Sequence, residues 1–199
     1  MLHAAPLCLR MAAAIGTIAT LAAFSAVPQA PATGLPSPSS GFVQAGVAEE
    51  AQMLIVGATW DWDWQYDLRM GRVSGHWEAS FGRWNSDRGP EGGSAWVTQV
   101  GLTPVLRLFP GGNGGRWFVE AGIGANFLMP VYQSETKRFS TTFNFGDHLA
   151  IGWLFGDDGG HEIALRIQHF SNAGIKEPNP GENFLQIRYS RRFGGLSGP

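Results

Sequence analysis

The stretch Glu162-Ile163-Ala164-Leu165-Arg166-Ile167-Gln168-His169-Phe170-Ser171 decides the fold. Ile163, Leu165 and Ile167 alternate with Glu162, Arg166 and Gln168. A period of two belongs to a strand, because successive side chains leave a strand on opposite faces. One face is aliphatic and the other carries a carboxylate and a guanidinium, so this strand separates two different environments. The pattern recurs along the chain. Trp60, Trp62 and Trp64 alternate with Asp61 and Asp63; Trp77, Ala79 and Phe81 alternate with His76, Glu78 and Ser80. Trp117, Val119, Ala121, Ile123 and Phe127 oppose Glu120, Gly122, Gly124 and Asn126, and Leu185, Ile187 and Tyr189 oppose Gln186, Arg188 and Ser190.

About eight such segments can be placed, at 41–48, 52–65, 72–84, 94–109, 115–128, 140–155, 160–171 and 183–193. Several reach the ~9–11 residues that a tilted strand needs to cross a bilayer. The expected fold is all-β, an eight-stranded antiparallel transmembrane β-barrel, eight being the smallest even number usual for such barrels. Lipid would cover the apolar faces, while Asp61, Asp63, Glu78, Glu120, Arg166 and Arg188 would pair inside a lumen too narrow for a pore. The connections agree. Turn-rich links at 67–71, 110–115 and 157–160 alternate with longer ones at 85–93, 129–139 and 172–182. Membrane barrels have short periplasmic turns and long outer loops, so the longer set is expected outside the cell. Phe193 ends the last segment as a terminal aromatic.

Composition supports an exported membrane barrel. The hydrophobic fraction is 44% and the charged fraction 15%, with 28 Gly and 8 Trp; soluble domains carry ~25% charge. A net charge of −2 without a Lys/Arg cluster gives no reason to expect a nucleic-acid partner. Arg10, an Ala-rich apolar run at 11–27 and the small residues Ala30 and Ala32 read as a signal peptide over 1–32, cleaved near Ala30 or Ala32. Residues 33–40 read as a flexible Pro/Ser leader, 41–193 as the outer-membrane barrel and 194–199 as a tail. The single Cys8 falls in the signal, which leaves the mature chain no disulfide or thiol chemistry. No other stretch approaches the ~18 continuous apolar residues of a helical span.

The candidate site lies where the opening strand ends. His169 and Ser171 continue the parity of Ile163, Leu165 and Ile167 and so face outward. Counting back from Tyr189, Ile187 and Leu185 puts Asn183 on the same outer face of the next strand. A serine hydroxyl is a poor nucleophile without a base. Here Ser171 could attack an ester carbonyl, His169 take its proton and Asn183 orient the imidazole. Asn172, Gly174 and Asn179, in the loop between the two strands, are candidate oxyanion or substrate-binding groups. Asp147 and His148 are adjacent and fall on opposite faces, which argues against a second dyad. No His/Cys/Asp/Glu spacing suggests a metal site, and no phosphate-loop pattern suggests a cofactor.

The segment His169-Phe170-Ser171-Asn172-Ala173-Gly174-Ile175-Lys176 followed by Pro178-Asn179-Pro180-Gly181 resembles the lipid A 3-O-deacylase family of Gram-negative outer membranes, and Phe145-Gly146-Asp147-His148-Leu149 is similar to a second segment of it. The resemblance implies an eight-stranded barrel whose catalytic His and Ser match His169 and Ser171. It implies a hydrolase that removes the acyl chain ester-linked at the 3-position of lipid A and needs no metal. It also exposes a departure: the family's acidic triad member falls, by spacing, at Asn183. Glu182 is the neighbouring carboxylate and is the alternative third member, provided that its side chain turns outward. The implied partner is lipopolysaccharide in the outer leaflet, with Lys176 placed to meet a phosphate. A site on the outside of a barrel also leaves room for a second copy, so a homodimer is compatible with the sequence. Two other readings share the fold signal: a non-enzymatic structural or adhesive barrel, and a soluble secreted ligand-binding barrel. Ester hydrolysis with a Ser171→Ala control separates the first, and detergent-dependent extraction the second.

Overall fold

Alternating sequence becomes a closed wall in the structure, a computed structural model that describes residues 36–87 and 94–193. The strands are β1 (Ser40–Val47), β2 (Ala51–Leu68), β3 (Gly71–Asp87), β4 (Ser94–Phe109), β5 (Trp117–Met129), β6 (Phe143–Phe155), β7 (His161–Ser171) and β8 (Glu182–Arg192). Each pairs antiparallel with the next, and β1 pairs with β8, which closes an eight-stranded barrel. The signal read at 1–32 and the tail at 194–199 lie outside the described residues.

The pairings fix the barrel's stagger. From Gly41, the register runs through Ala58, Ala79, Leu102, Ala125 and Phe145 to Ser171 of β7. In the other direction it runs through Arg191 to His161 of the same strand, 10 residues away. A shear of this size in an eight-stranded barrel tilts the strands by roughly 35–45°. At ~3.3 Å per residue, β7 then climbs about 25 Å along the barrel axis, the height of an apolar membrane band. His169 and Ser171 sit at its loop end.

The faces divide as expected. Ile151, Trp153, Ile163, Leu165 and Ile167 are exposed on the outside, while Glu78, Glu120, Glu162, Arg107, Arg166 and Arg188 are buried inside. The ionic groups fill the half nearer the short turns. Arg107 bridges Glu120 and Glu162, each at 2.8 Å, and Arg166 bridges Glu78 at 3.1 Å and Glu120 at 3.0 Å. Arg188 completes the set through Glu78. Fixed pairing of this kind is what allows charge inside so narrow a lumen. The half nearer the long loops is aromatic: Trp84, Tyr132, Phe139, Phe170 and Phe184 pack with Phe42, Ile55 and Leu128. Tyr132 and Phe139 come from the β5–β6 loop, which folds over the barrel's mouth. The lumen is a packed core.

Two residues correct the expectation. Asp61 and Asp63 do not join the internal network. The β2–β3 register shifts between Asp61 and Gln65, and both carboxylates are exposed. Asp61 pairs with Arg192 at 2.9 Å on the surface. The long β2–β3 hairpin runs past the closed part of the barrel, so there is no lumen at that height for an acid to face. Trp62 instead packs against Trp64 in a tilted contact and against Trp77 edge-on, ring centroids 5.3 and 5.9 Å apart.

Candidate active site

Phe170 and Phe184 hold the site in place. Both are inward neighbours of site residues and almost fully buried, and both pack edge-on against Trp84 with centroids 4.7 Å away. Because β7 and β8 alternate around these anchors, His169, Ser171 and Asn183 project outward. His169 and Asn183 are direct cross-strand partners. Their side chains meet, His169 Nδ1 lying 2.8 Å from Asn183 Oδ1. With a carbonyl oxygen as acceptor, Nδ1 carries the ring proton and Nε2 keeps its lone pair. That is the tautomer a general base requires. Ser171, two residues along the same strand, stands about 6.6 Å away in backbone spacing, within reach of the two side chains together. Among the described residues nothing bonds the Ser171 hydroxyl, so it is not in contact with His169; such contacts are often open before substrate binds.

Glu182, the alternative third member, is placed elsewhere. It is 1% exposed and points into the barrel. Its carboxylate accepts from Tyr132 Oη at 2.7 Å and Lys137 Nζ at 2.9 Å. Strand parity leaves it no route to the imidazole while Asn183 faces out. Burial, together with the adjacent Glu182 carboxylate, pushes the Tyr132 phenol up, which keeps it protonated as a donor. The carboxylate therefore clamps the β5–β6 loop to the start of β8.

The three loop candidates are unequal. Asn172 is 1% exposed, and its amide is committed. Nδ2 donates to Lys176 O at 2.7 Å, Ser140 Oγ at 3.0 Å and Thr141 Oγ1 at 3.2 Å, while Oδ1 accepts from Gly174 N at 3.0 Å. Asn172 ties two loops together through these bonds, and the Gly174 N–H is used by its Oδ1. Asn179 differs. Its Oδ1 accepts from Asn172 N at 3.0 Å, directly after Ser171 in the chain, and this fixes the amide with Nδ2 unbonded among the described residues. Ala173 and Gly174 take left-handed φ of 54° and 78°, closing a tight turn in which Ile175 N donates to Asn172 O. Lys176 is exposed in the same loop. Among the described residues no three metal-ligating side chains come together.

Residues 53–192 match the family model described as lipid A 3-O-deacylase (PagL). The chain belongs to this family. The lipid A deacylase PagL of Bordetella bronchiseptica is 36% identical over 132 residues, 66% of this chain and 70% of that protein. The lipid A deacylase PagL of Pseudomonas aeruginosa is 32% identical over 178 residues, 86% and 94% respectively. The crystal structure of the outer membrane enzyme PagL superimposes with a TM-score of 0.65 at 26% identity, covering 77% of this chain and 99% of that one. Against this deacylase background, two features of the site were not found in the sequence. Gly181 is buried with φ 69°, and a Cβ there would lie 2.5 Å from His169 Cε1. Only a glycine leaves room for the ring; its place in Pro180-Gly181 signalled a turn, not a contact. The other is Asp147, which is exposed on β6 and directly opposite His169. His148 beside it is buried in the lumen, as parity required.

Proposed function

We propose that this protein is an integral outer-membrane esterase that removes the acyl chain ester-linked at the 3-position of lipid A, with Ser171 as nucleophile and His169 as general base. The observation that carries the reading is the 2.8 Å bond from His169 Nδ1 to Asn183 Oδ1, made on the lipid-facing wall at the loop end of the barrel. Family membership supplies the substrate class, and this geometry supplies the chemistry. Asn183 fixes the tautomer, so Nε2 can take the Ser171 proton as Oγ attacks the ester carbonyl. The acyl group passes to Ser171, the proton to the leaving sugar oxygen, and water then releases the fatty acid by the reverse path. Asn179 Nδ2 donates to the oxyanion.

Position matches substrate. Lipid A occupies the outer leaflet, and its ester linkages lie near the depth of Ser171 while its acyl chains remain in the membrane. Below the site the wall carries Ile167 and Leu185, and then an apolar groove of about 590 Å³ lined by Trp117, Ile151, Trp153, Ile163, Leu165 and Ile187. An acyl chain lying down the wall from Ser171 runs toward this groove.

A fluorophosphonate probe tests the mechanism on the folded, detergent-solubilised protein. One labelled peptide is expected, containing Ser171, with loss of labelling in His169→Ala. Hydrolysis should fall on the order of 10⁴-fold in either Ser171→Ala or His169→Ala. Labelling elsewhere, or near-normal turnover in Ser171→Ala, would reject the serine mechanism.

A further inference from the structure

Apart from Ser171 and Asn183, the outward side chains beside His169 are apolar except at one place. On β6 the outward side chains run Phe145, Asp147, Leu149, Ile151 and Trp153, so Asp147 interrupts a lipid-facing stripe. Its carboxylate has no hydrogen bond or ion pair among the described residues, so the fold gives no reason for its presence. A charged side chain on the lipid face of a barrel is destabilising, and one kept there without a structural partner marks function. The register places it. Asp147 is the direct cross-strand partner of His169 from β6, as Asn183 is from β8. Directly opposed residues have Cβ atoms about 4.5–5.5 Å apart. The imidazole is thus flanked by a neutral amide on one side and a carboxylate on the other.

Asn183 orients His169 but has no charge to give. When Ser171 hands its proton to Nε2, the ring becomes an imidazolium, and a site facing hydrocarbon offers little water to stabilise it. We propose that Asp147 supplies the negative charge of the relay that Asn183 cannot, acting through His169 as a positioning residue. The proposal rests on the serine mechanism above. Protons balance without Asp147 taking part in transfer: the Ser171 proton moves to His169 Nε2 and then to the leaving sugar oxygen.

The other titratable groups near the imidazole do not fill this role. Glu182 on β8 faces the lumen and is paired with Lys137. His148 on β6 is buried inside the barrel. In the β7–β8 loop, Glu177 accepts from the backbone of Asn179 and Lys176 is of the wrong sign. Asp147 is the acid on the same face as His169 in the two strands that flank it.

The test is the kinetics of lipid A hydrolysis by the full chain in detergent, with barrel folding checked by heat-modifiable migration. Asp147→Asn should lose kcat by about tenfold or more, and kcat/KM by the same factor, as expected when an interaction made in the transition state is removed. Adding Asn183→Glu to Asp147→Asn should restore kcat, by returning a charge to the opposite flank. Unchanged kcat, or a loss confined to KM, would overturn the proposal, the second outcome assigning Asp147 to substrate contact. A loss that Asn183→Glu does not rescue would overturn it as well. Ser171→Ala separates the two layers: if it is inactive while Asp147→Asn behaves as wild type, the charge proposal fails and the serine mechanism stands.

Discussion

Asn183 and Glu182 are neighbours in sequence that point to opposite faces of the wall, and the difference is one step of strand parity. Asn183→Ala removes the His169 Nδ1 partner and leaves the ring free to turn. The expected result is a loss of roughly 10- to 100-fold in kcat with little change in barrel stability. Glu182→Ala should do the reverse. It leaves Lys137 and Tyr132 without their acceptor, and breaking a buried pair costs about 3–5 kcal/mol, so the temperature of heat-modified migration should fall. Equal activity losses without any fall in stability for Glu182→Ala would contradict this division. Gly181→Ala makes a third case, because a methyl group meets the imidazole and the backbone is held in a left-handed conformation. It should lower kcat as strongly as Asn183→Ala while the barrel still folds. Strand parity alone makes His169, Ser171 and Asn183 legible in the sequence, since the aliphatic stripes of β7 and β8 dictate where the polar side chains at their loop ends point. The bonds that Asn172 makes were not legible, because an asparagine in a loop looks the same in sequence whether its amide is free or spent. Asp147 was weighed in sequence only beside His148, because its partnership with His169 depends on the β6–β7 register, which the turn at 156–160 sets.

At the scale of elements, the alternation that exposes the site also anchors it. Phe170 lies between His169 and Ser171 and packs under Trp84, so β7 cannot slide or twist without moving His169 and Ser171 together. Phe170→Ala should cost about 3–5 kcal/mol as a cavity in the aromatic half of the lumen, and activity should fall further than the stability loss alone accounts for. Unaltered kcat in the folded variant would show that the strand needs no such backing. All eight strands were legible, with ends within about three residues, because both faces of a membrane barrel are specified: lipid selects one and a closed polar lumen the other. The exception shows the cause. Asp61 and Asp63 alternate like inward acids, yet β2 outruns the barrel and a bulge re-aims the chain. No lumen surrounds them, so the alternation loses its meaning there.

For the whole molecule, the packed interior decides how substrate arrives. Ion pairs fill one half of the lumen and aromatic rings the other, with the β5–β6 loop across the mouth, so on the proposed mechanism lipid A reaches Ser171 from the side. Ile167→Trp or Leu185→Trp, on the outer wall beneath the site, should reduce kcat/KM. Thr103→Val, inside the barrel on the far strand β4, should leave it unchanged. Sensitivity in the reverse order would contradict lateral access. The central claim, a serine deacylase acting on lipid A within the outer leaflet, is tested most directly by mass spectrometry of lipid A from Gram-negative cells that carry the wild-type chain, Ser171→Ala, or neither. Lipid A lacking one 3-O-linked acyl chain is predicted only with the wild-type chain. Intact lipid A in those cells, or the same loss with Ser171→Ala, would contradict it.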